Sequence, residues 1–300
     1  MNTAVDVAVL TDARWTNPNE NDPYHANLYL EDRLVVEALQ RRGLKVIRVA
    51  WDDKEVDWNT VSAVIFRSTW DYAERFDEFQ AWLQALPGST RCINSREILD
   101  WNSNKRYLTE LEAKGIPVPP TTFVEQGDAP SLTSLCTEHG WTDAVIKPIV
   151  GAGGIDTFRL NSTEWEGFEE QWQHLCRKRA MMVQETQTNI VTEGEWSFML
   201  MGETVTHAIL KRAKTGEFRV QDDFGGTVHA WEMTPEQTAF AERVARVMDP
   251  VPVYTRVDAF TDNQGRLAVG ELELIEPELW FRFCPEAADV LADVVIERYF

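Results

Sequence analysis

Short apolar runs alternate with amphipathic segments over the first hundred residues of the chain. Residues 30–42 carry apolar side chains at helical spacing and end at Gly43, which is typical of an amphipathic helix. The segment FDEFQAWLQAL, which ends before Pro87-Gly88, has the same character. Four short apolar runs around these segments are candidate strands: VDVAVL (5–10), KVIRVAW (45–51), VSAVIFRSTW (61–70) and RCIN (91–94). Strands that alternate with helices in this way predict a parallel α/β sheet over residues 1 to about 100.

A proline-rich joint follows the next helical segment. The pattern of NKRYLTELEAKG (104–115) predicts a helix that Gly115 closes, and the segment IPVPP comes directly after it. This joint is the best candidate for a domain boundary, so we expect two or three lobes. Beyond it the pattern predicts helices near 163–178, over 234–248 and from about 285, and strands in DAVIKPIV, DTFRL, MMVQET, WSFMLM, ETVTHAILKRA, YTRVDAF and RLAVGELELI.

The charge of the chain argues against two classes of partner. With 49 acidic and 29 basic residues the formal net charge is −20, which repels the phosphate backbone of nucleic acids and an anionic membrane surface. A local pocket of positive charge can still bind one small phosphorylated ligand. No run reaches the ~18 apolar residues of a membrane span. The N-terminal segment MNTAVDVAVLTD lacks the basic residues of a targeting signal, so we predict a cytoplasmic protein.

The cysteines do not indicate a metal site. Cys92, Cys136, Cys176 and Cys284 lie far apart in the sequence, without CxxC spacing and without histidines at metal-ligand spacing. We therefore expect reduced, buried thiols.

Two late strands gather acidic side chains on one face. Alternation puts Arg256 and Asp258 on the same face of YTRVDAF, and Glu271 and Glu273 on one face of GELELIE. If TDNQG forms a hairpin of ordinary length, Arg256 lies opposite Glu271 and Asp258 lies one diagonal step away. An ordinary solvent-facing strand would show the same acids. However, carboxylates this close repel one another unless a cation neutralises them, and three oxygen donors suit Mg²⁺ with a phosphate substrate.

A glycine segment follows one of the predicted strands. Residues Gly151 to Gly154 come after Lys147, so their backbone amides are candidates to bind phosphate with the lysine as counter-charge. The segment is neither GxGxxG nor a Walker motif, and a plain hairpin turn is the commoner explanation of such a sequence. Lys105 and Lys211, taken singly, indicate only solvated surface groups.

Taken in order, these segments resemble the motifs of the ATP-grasp superfamily, on its glutathione synthetase and D-alanine ligase side. The sequence carries Lys105 before GIPVPPTTFV, then VIKP with GAGG, VQET, EGEWSFMLMGE, the pair KR, TRVDAF and GELELIEP. The resemblance spans nearly the whole chain. It implies a preATP-grasp parallel α/β domain over residues 1–103, followed by two α+β lobes, 104–206 and 207–300, that clamp ATP between them.

The resemblance also implies a role for each matching residue. The phosphate-binding and loop positions correspond to Lys105, Lys147, Gly151, Gly153 and Gly154, and the adenine hinge and ribose positions to Gln184, Glu185 and Glu195. The catalytic positions correspond to Lys211 facing the nucleotide, Arg219 on the acceptor or transferred phosphate, and Arg256 on the transition state. The ligands of Mg²⁺, with Mn²⁺ as an alternative ion, correspond to Asp258, Glu271 and Glu273. The family often has Glu-x-Asn where this chain has Glu271-Leu-Glu273, which leaves the coordination of a second ion open.

The segments RSTWDY (67–72) and ELELIEP are similar to the cycloserine synthetase type of ATP-grasp protein. Arg67, Trp70 and Asp71 follow a predicted parallel strand, at the end where open α/β sheets bind their ligands, which makes them candidate substrate residues. A packed aromatic ring beside an ordinary ion pair explains the same residues equally well.

The resemblance implies an ATP-dependent carbon–nitrogen ligase. Such an enzyme phosphorylates a carboxylate-type group and passes the acyl group to an amine, forming an amide or, within one molecule, a ring as in the cycloserine synthetase type. We expect small substrates of amino-acid or amino-acid-like type, with a homo-oligomeric assembly left open. Two alternatives stay open: a phosphotransferase on the same scaffold, which leaves phosphate on the product, and a nucleotide-binding protein without turnover.

Overall fold

The first part of the chain forms a parallel sheet, as predicted. The computed structural model describes residues 4–17, 19, 21–214, 220 and 225–300. The first strands are β1 (Val5–Thr11), β2 (Val46–Ala50), β3 (Val61–Ser68) and β4 (Arg91–Ile93), and the helices between them are α1 (Pro23–Arg41) and α2 (Phe76–Ala85). These strands pair in parallel in the order β2-β1-β3-β4.

Helix α1 begins at Pro23, earlier than the apolar pattern indicates. The side chain of Asp22 accepts a hydrogen bond from the backbone amide of Tyr24, and Pro23 occupies the first turn, where its missing N–H costs nothing. The first turns of the helix are polar, so hydrophobic periodicity alone does not reach them.

The sheet is covered on both faces, which explains its nearly continuous apolar strands. Val7 and Ile65 pack on one side in a cluster with Leu39 of α1. Leu10 and Phe66 pack on the other side in a cluster with α2. The C-terminal helix α9, residues Ala287–Tyr299, joins the α1 side of this core.

The rest of the chain forms two antiparallel sheets. The second sheet has the strand order β5-β8-β6-β7 and the third has the order β11-β10-β9-β12-β13. The strands are β5 (Thr121–Val124), β6 (Asp143–Pro148), β7 (Phe158–Asn161), β8 (Met181–Glu185), β9 (Glu195–Met201), β10 (Thr204–Arg212), β11 (Thr227–Trp231), β12 (Tyr254–Thr261) and β13 (Leu267–Glu273). The remaining helices are α3 (Arg96–Asn102), α4 (Tyr107–Ala113), α5 (Leu132–Glu138), α6 (Trp165–Lys178), α7 (Thr188–Glu193) and α8 (Pro235–Ala245).

Most of these elements match the predicted pattern, and the ones it misses are short. The missed elements span four to seven residues, too few to display a period: α3, α5, α7, β5 and β11. The domain bounds at residues 103 and 206 stay predictions, because strand pairing defines sheets rather than independently folding units. None of the helices in the described part of the chain is long and apolar enough to cross a membrane.

The predicted register of the β12–β13 hairpin is wrong by two residues. Arg256 pairs with Glu273 rather than with Glu271, and Asp258 pairs directly with Glu271. Beyond that point the register shifts, because Gly270 is an extra residue that forms a bulge. A Cβ atom at Gly270 would lie 2.8 Å from the ring of Phe260, so only glycine fits there. The four charged side chains still share one face.

The second and third sheets pack against each other below the site. Their shared core contains Met182 from β8 and Phe198 from β9, together with Leu108 and Leu111 from α4. Lys147 pairs with Met182 across β6 and β8, so its side chain points to the same side of the second sheet as this core. As a result, one face of the second sheet and one face of the third sheet face each other.

Candidate active site

A cleft of about 390 Å³ opens between the three sheets, within the size range of small-molecule sites. Most of the predicted site residues line it: Trp70, Lys105, Lys147, Gly151, Gly153, Gly154, Lys211, Arg256, Glu271 and Glu273. These residues lie up to about two hundred positions apart in the sequence, and the fold brings them together around one cleft.

The two predicted phosphate lysines differ in their partners. Lys105 donates from Nζ to Glu271 Oε1 at 2.5 Å and to the carbonyl oxygen of Gly151 at 2.9 Å. Burial opposes the charge of Lys105, but the Glu271 carboxylate outweighs it and raises the pKa of the lysine. Lys147 makes no hydrogen bond or ion pair with another described residue, and its pKa is lowered by burial and by Lys105. Lys147 is thus a cation in the cleft that an anionic ligand would stabilise.

The glycine loop follows β6 and forms one wall of the cleft. Gly153 and Gly154 have φ of 62° and 69°, in the left-handed region that favours glycine. The loop is tied to the opposite side of the cleft, because Lys105 joins Gly151 to Glu271. These contacts place the backbone of the loop beside both lysines.

A chain of alternating charges crosses the third sheet. Lys211 lies 2.5 Å from Glu195 Oε1 and 3.2 Å from Asp258 Oδ2. Arg256 then contacts Asp258 through Nη2 and Oδ2 at 2.9 Å, and also forms an ion pair with Glu273. The order of the chain is Glu195, Lys211, Asp258, Arg256, Glu273.

This arrangement shifts the pKa values of Asp258 and Glu273 in opposite directions. Burial alone would raise the pKa of the Asp258 carboxyl, but the charges of Arg256 and Lys211 hold it well below its usual range. Burial raises the pKa of Glu273 to about 7, helped by the charges of Asp258 and Glu271. The site therefore holds one firmly ionised carboxylate and one that would gain from an added cation.

The predicted metal ligands share a face but do not converge as a three-carboxylate metal site. Within the described part of the chain, no three His, Cys, Asp or Glu side chains are grouped for a metal. Asp258 is only 5% exposed and is already bound by Arg256, Lys211 and Ser197 Oγ. The side chains of Glu271 and Glu273 are 32% and 27% exposed and face the cleft. These two carboxylates fit a Mg²⁺ ion that arrives with phosphate, since Mg²⁺ takes few protein ligands.

The predicted nucleotide residues outside the cleft lie on its margins. Gln184 is on the same face of the second sheet as Lys147, and its side-chain amide donates to Thr121 Oγ1 at 2.8 Å. Glu185 does not line the cleft, and Glu195 touches it through Lys211. Arg219 lies outside the described residues.

Of the three predicted substrate residues, only Trp70 lines the cleft. Asp71 instead accepts hydrogen bonds from Trp51 Nε1 and Arg75 Nη1, both at 2.8 Å. Arg67 is 2% exposed and lies at a small adjoining cavity of about 20 Å³. It pairs with Glu31 Oε1 at 3.1 Å, so its main contacts are internal.

Arg67 and Glu31 hold a segment that lines the cleft, residues 276–281, which we call the wall segment. Arg67 Nη2 donates to the carbonyl oxygen of Pro277 at 2.8 Å. Glu31 accepts from the backbone amides of Leu279 and Phe281, at 2.5 and 3.0 Å. Trp280, between those two amides, has φ of 54° and lines the cleft. A bulky residue in this conformation needs such external support.

Sequence reasoning missed an aromatic side of the cleft. Trp15, Tyr24 and Trp70 line it with ring centroids 6.1 to 6.4 Å apart. Glu276 and Trp280 of the wall segment also line it. Glu276 belongs to the segment ELELIEP and lies just after the acidic strand, and this position could have indicated that it lines the site. Trp15 gave none, because a lone tryptophan is usually a packing residue.

Lys147 and the glycine loop of the second sheet, together with Lys105 just before α4, face the acids and the arginine of the third sheet. This arrangement is the cleft of an ATP-grasp enzyme. The N-terminal parallel sheet supplies the third side of that cleft. This is the arrangement that the sequence resemblance implies.

Comparisons with known proteins agree with this class. Residues 7–94 match the profile of the D-cycloserine synthetase DcsG N-terminal domain, and residues 110–255 match that of the prokaryotic glutathione synthetase ATP-grasp domain. Cycloserine biosynthesis protein DcsG of Streptomyces lavendulae is 30% identical over 285 residues, which cover 88% of this chain and 92% of that protein. The chain therefore belongs to the ATP-grasp family, and it is an ATP-dependent carbon–nitrogen ligase similar to DcsG.

Solved structures show the same fold. The crystal structure of D-cycloserine synthetase DcsG superposes with a TM-score of 0.84 at 27% identity, covering 98% of this chain and 99% of that one. The ATP-grasp ligase PsnB, solved with its minimal precursor, Mg and ADP, has a TM-score of 0.62 at 18% identity, covering 98% of each chain. The second likeness concerns the fold alone.

Proposed function

We propose that the enzyme uses ATP to convert a small amino-acid-like substrate into a ring, or into an amide with a second amine. The observation that carries the proposal is the composition of the cleft. One side holds Lys105, Lys147 and the open carboxylates Glu271 and Glu273. The other side is aromatic and comes from helical segments of the N-terminal region, which matches the D-cycloserine synthetase profile.

The reaction begins at the phosphate side of the cleft. A carboxylate-type oxygen of the substrate attacks the γ-phosphorus of ATP, the bond to the bridging oxygen breaks, and ADP leaves. Lys147 and Lys105 reduce the repulsion between the two anions, which is a task of positioning and electrostatics. Mg²⁺ on Glu271 and Glu273, or Mn²⁺ in its place, would supply further charge neutralisation when it is bound.

The second step consumes the acyl phosphate. A neutral amine attacks the acyl carbon, inorganic phosphate leaves with the bonding electron pair, and the amine gives up one proton. Arg256 is the cation that would stabilise the oxyanion, because it lines the cleft between Asp258 and Glu273. The glycine loop limits access of water to the acyl phosphate, which would otherwise hydrolyse.

Product analysis distinguishes this ligase from a phosphotransferase. The enzyme is incubated with ATP, Mg²⁺ and a panel of amino acids and derivatives, and ADP, inorganic phosphate and product mass are measured. We expect one equivalent each of ADP and phosphate, with a product lighter than its precursor when a ring forms. A stable phosphorylated product would contradict the ligase proposal, as would ADP release that no amine-bearing substrate stimulates.

This assay does not test three of the predictions made from the sequence. The cytoplasmic location, the absence of nucleic-acid and membrane partners, and a homo-oligomeric assembly stay predictions. Light scattering coupled to size-exclusion chromatography tests the last of these, since a monomer has a mass of 34.4 kDa.

A further inference from the structure

Glu276 differs from the other acids that line the cleft. It is 8% exposed, and its carboxylate makes no hydrogen bond or ion pair with another described residue. By contrast, Glu271 pairs with Lys105, Glu273 with Arg256, and Glu278 with Arg282. Burial raises the pKa of Glu276 well above its usual range, so a cation brought by a ligand would stabilise the ionised form of this side chain.

The aromatic side of the cleft adjoins Glu276. The indole Nε1 of Trp70 donates to the carbonyl oxygen of Glu276 at 3.1 Å, which holds residue 276 against Trp70. The Trp70 ring in turn lies 6.4 Å from that of Trp15 and 6.3 Å from that of Tyr24. One of these rings already accepts a cation, because the guanidinium of Arg14 lies 5.7 Å from the centre of the Trp15 ring. Aromatic faces next to a carboxylate are a favourable setting for an ammonium group.

The backbone of the wall segment keeps Glu276 in this place. Trp70 holds residue 276, and the Arg67–Glu31 pair holds the residues that follow it. The carboxylate is therefore part of a rigid wall, a suitable basis for recognising one orientation of a substrate.

We propose that Glu276, with the aromatic rings of Trp15, Tyr24 and Trp70, binds the protonated amino group of the substrate. This subsite rests on the proposed function, since it assigns one end of an amino-acid-like substrate to the aromatic side of the cleft. The carboxylate-type end then faces Lys147 on the phosphate side. Glu276 determines specificity for an ammonium-bearing substrate over an analogue that has a hydroxyl in its place.

Equilibrium binding tests the subsite without any turnover. Serine and glycerate, each as both enantiomers, are titrated into the full-length enzyme with Mg²⁺ and ADP, and Kd is measured by calorimetry and tryptophan fluorescence. We expect one enantiomer of serine to bind the wild-type enzyme roughly 10-fold or more tightly than the matching glycerate, the range of a hydrogen bond to a charged group. Glu276→Gln should remove this preference and leave the Kd of ADP unchanged.

Two further variants separate recognition from folding. Glu74→Gln makes the same chemical change at a cleft-lining acid whose side chain is 52% exposed, and it should keep the preference for serine. Glu276→Asp retains the charge and should restore part of the preference that Glu276→Gln loses. Matching thermal melting curves for the three variants show that each is folded.

The proposal is overturned if wild-type enzyme shows no preference for serine over glycerate, or if Glu276→Gln keeps that preference. It is also overturned if Glu276→Gln changes only the Mg²⁺ concentration needed for ADP binding, because Glu276 would then be a metal ligand. A stable phosphorylated product would refute the ligase proposal without changing these binding constants, so the two failures are distinguishable.

Discussion

The buried Arg67–Glu31 pair leads to a specific prediction about stability. Replacing Arg67 by methionine keeps most of the side-chain volume but leaves Glu31 without its cation. Breaking a buried ion pair from one side costs about 3–5 kcal/mol. Glu31 keeps two backbone donors in the wall segment, so we expect a loss near the lower limit, about 3 kcal/mol. That corresponds to a fall in Tm of roughly 6–12 °C.

The pH dependence of this loss has a definite sign. Burial already raises the pKa of the Glu31 carboxyl above 4.5, although the charge of Arg67 opposes the shift. Without Arg67 the pKa rises further, so the folded state binds a proton that the unfolded state releases. The stabilisation from that proton is complete below pH 4.5 and is lost as the pH rises through the folded-state pKa. Arg67→Met should therefore be less destabilised at pH 5 than at pH 8.

Urea unfolding followed by tryptophan fluorescence at these two pH values measures both effects. Arg246→Met is the matched control, because Arg246 is 48% exposed and pairs with Glu203 and Glu242 at the surface. The control should lose less than about 1 kcal/mol at either pH. A loss of that small size in Arg67→Met, or an equal loss at pH 5 and pH 8, would refute the role assigned to the pair.

Three further predictions concern the phosphate side of the cleft. Lys147→Met should raise the calorimetric Kd of ATP roughly 10-fold or more, whereas the surface variant Lys114→Met should not change it. Gly153→Pro should lower kcat far more than it raises the Kd of ATP, because proline cannot adopt φ of 62° and would hinder closure of the loop. Equal effects on kcat and on the Kd of ATP would argue against a closing loop. Asp258→Asn and Glu273→Gln should both abolish turnover, but only Asp258→Asn should lower Tm at pH 8. The depressed pKa of Asp258 stabilises the fold above pH 3.8, whereas the stabilisation linked to Glu273 is lost as the pH passes about 7, so Tm should fall in the first variant and hold or rise in the second.

The fold was largely predictable because its sheets leave a strong pattern in the sequence. The continuous apolar runs of β1 and β3 reflect a sheet covered on both faces, and β12 and β13 show the alternation of a half-exposed hairpin. The register of that hairpin was not predictable, since the turn shifts the pairing by one residue from the expected register and the extra residue at Gly270 shifts it by one more.

The ion pairs of the site were harder to predict than its residue types. The partners of Arg67 are Glu31 and Pro277, which lie 36 and 210 positions away. No local pattern encodes contacts at such distances, so the sequence does not show which groups hold Arg67 in place. Glu276 was missed for a related reason: its lack of a cation is visible only once its surroundings are known.

The hydrogen bonds from Arg67 and Glu31 to the wall segment have a consequence for engineering this enzyme. Residues 276–281 carry side chains that line the cleft, whereas α1 and β3 carry Glu31 and Arg67, which hold the backbone of that segment. An exchange of N-terminal regions between related ligases would separate the segment from these two side chains, so the strained backbone at Trp280 would lose its contacts with Arg67 and Glu31. Substrate preference should therefore transfer between relatives only when helix α1, the end of strand β3 and residues 276–281 are moved together.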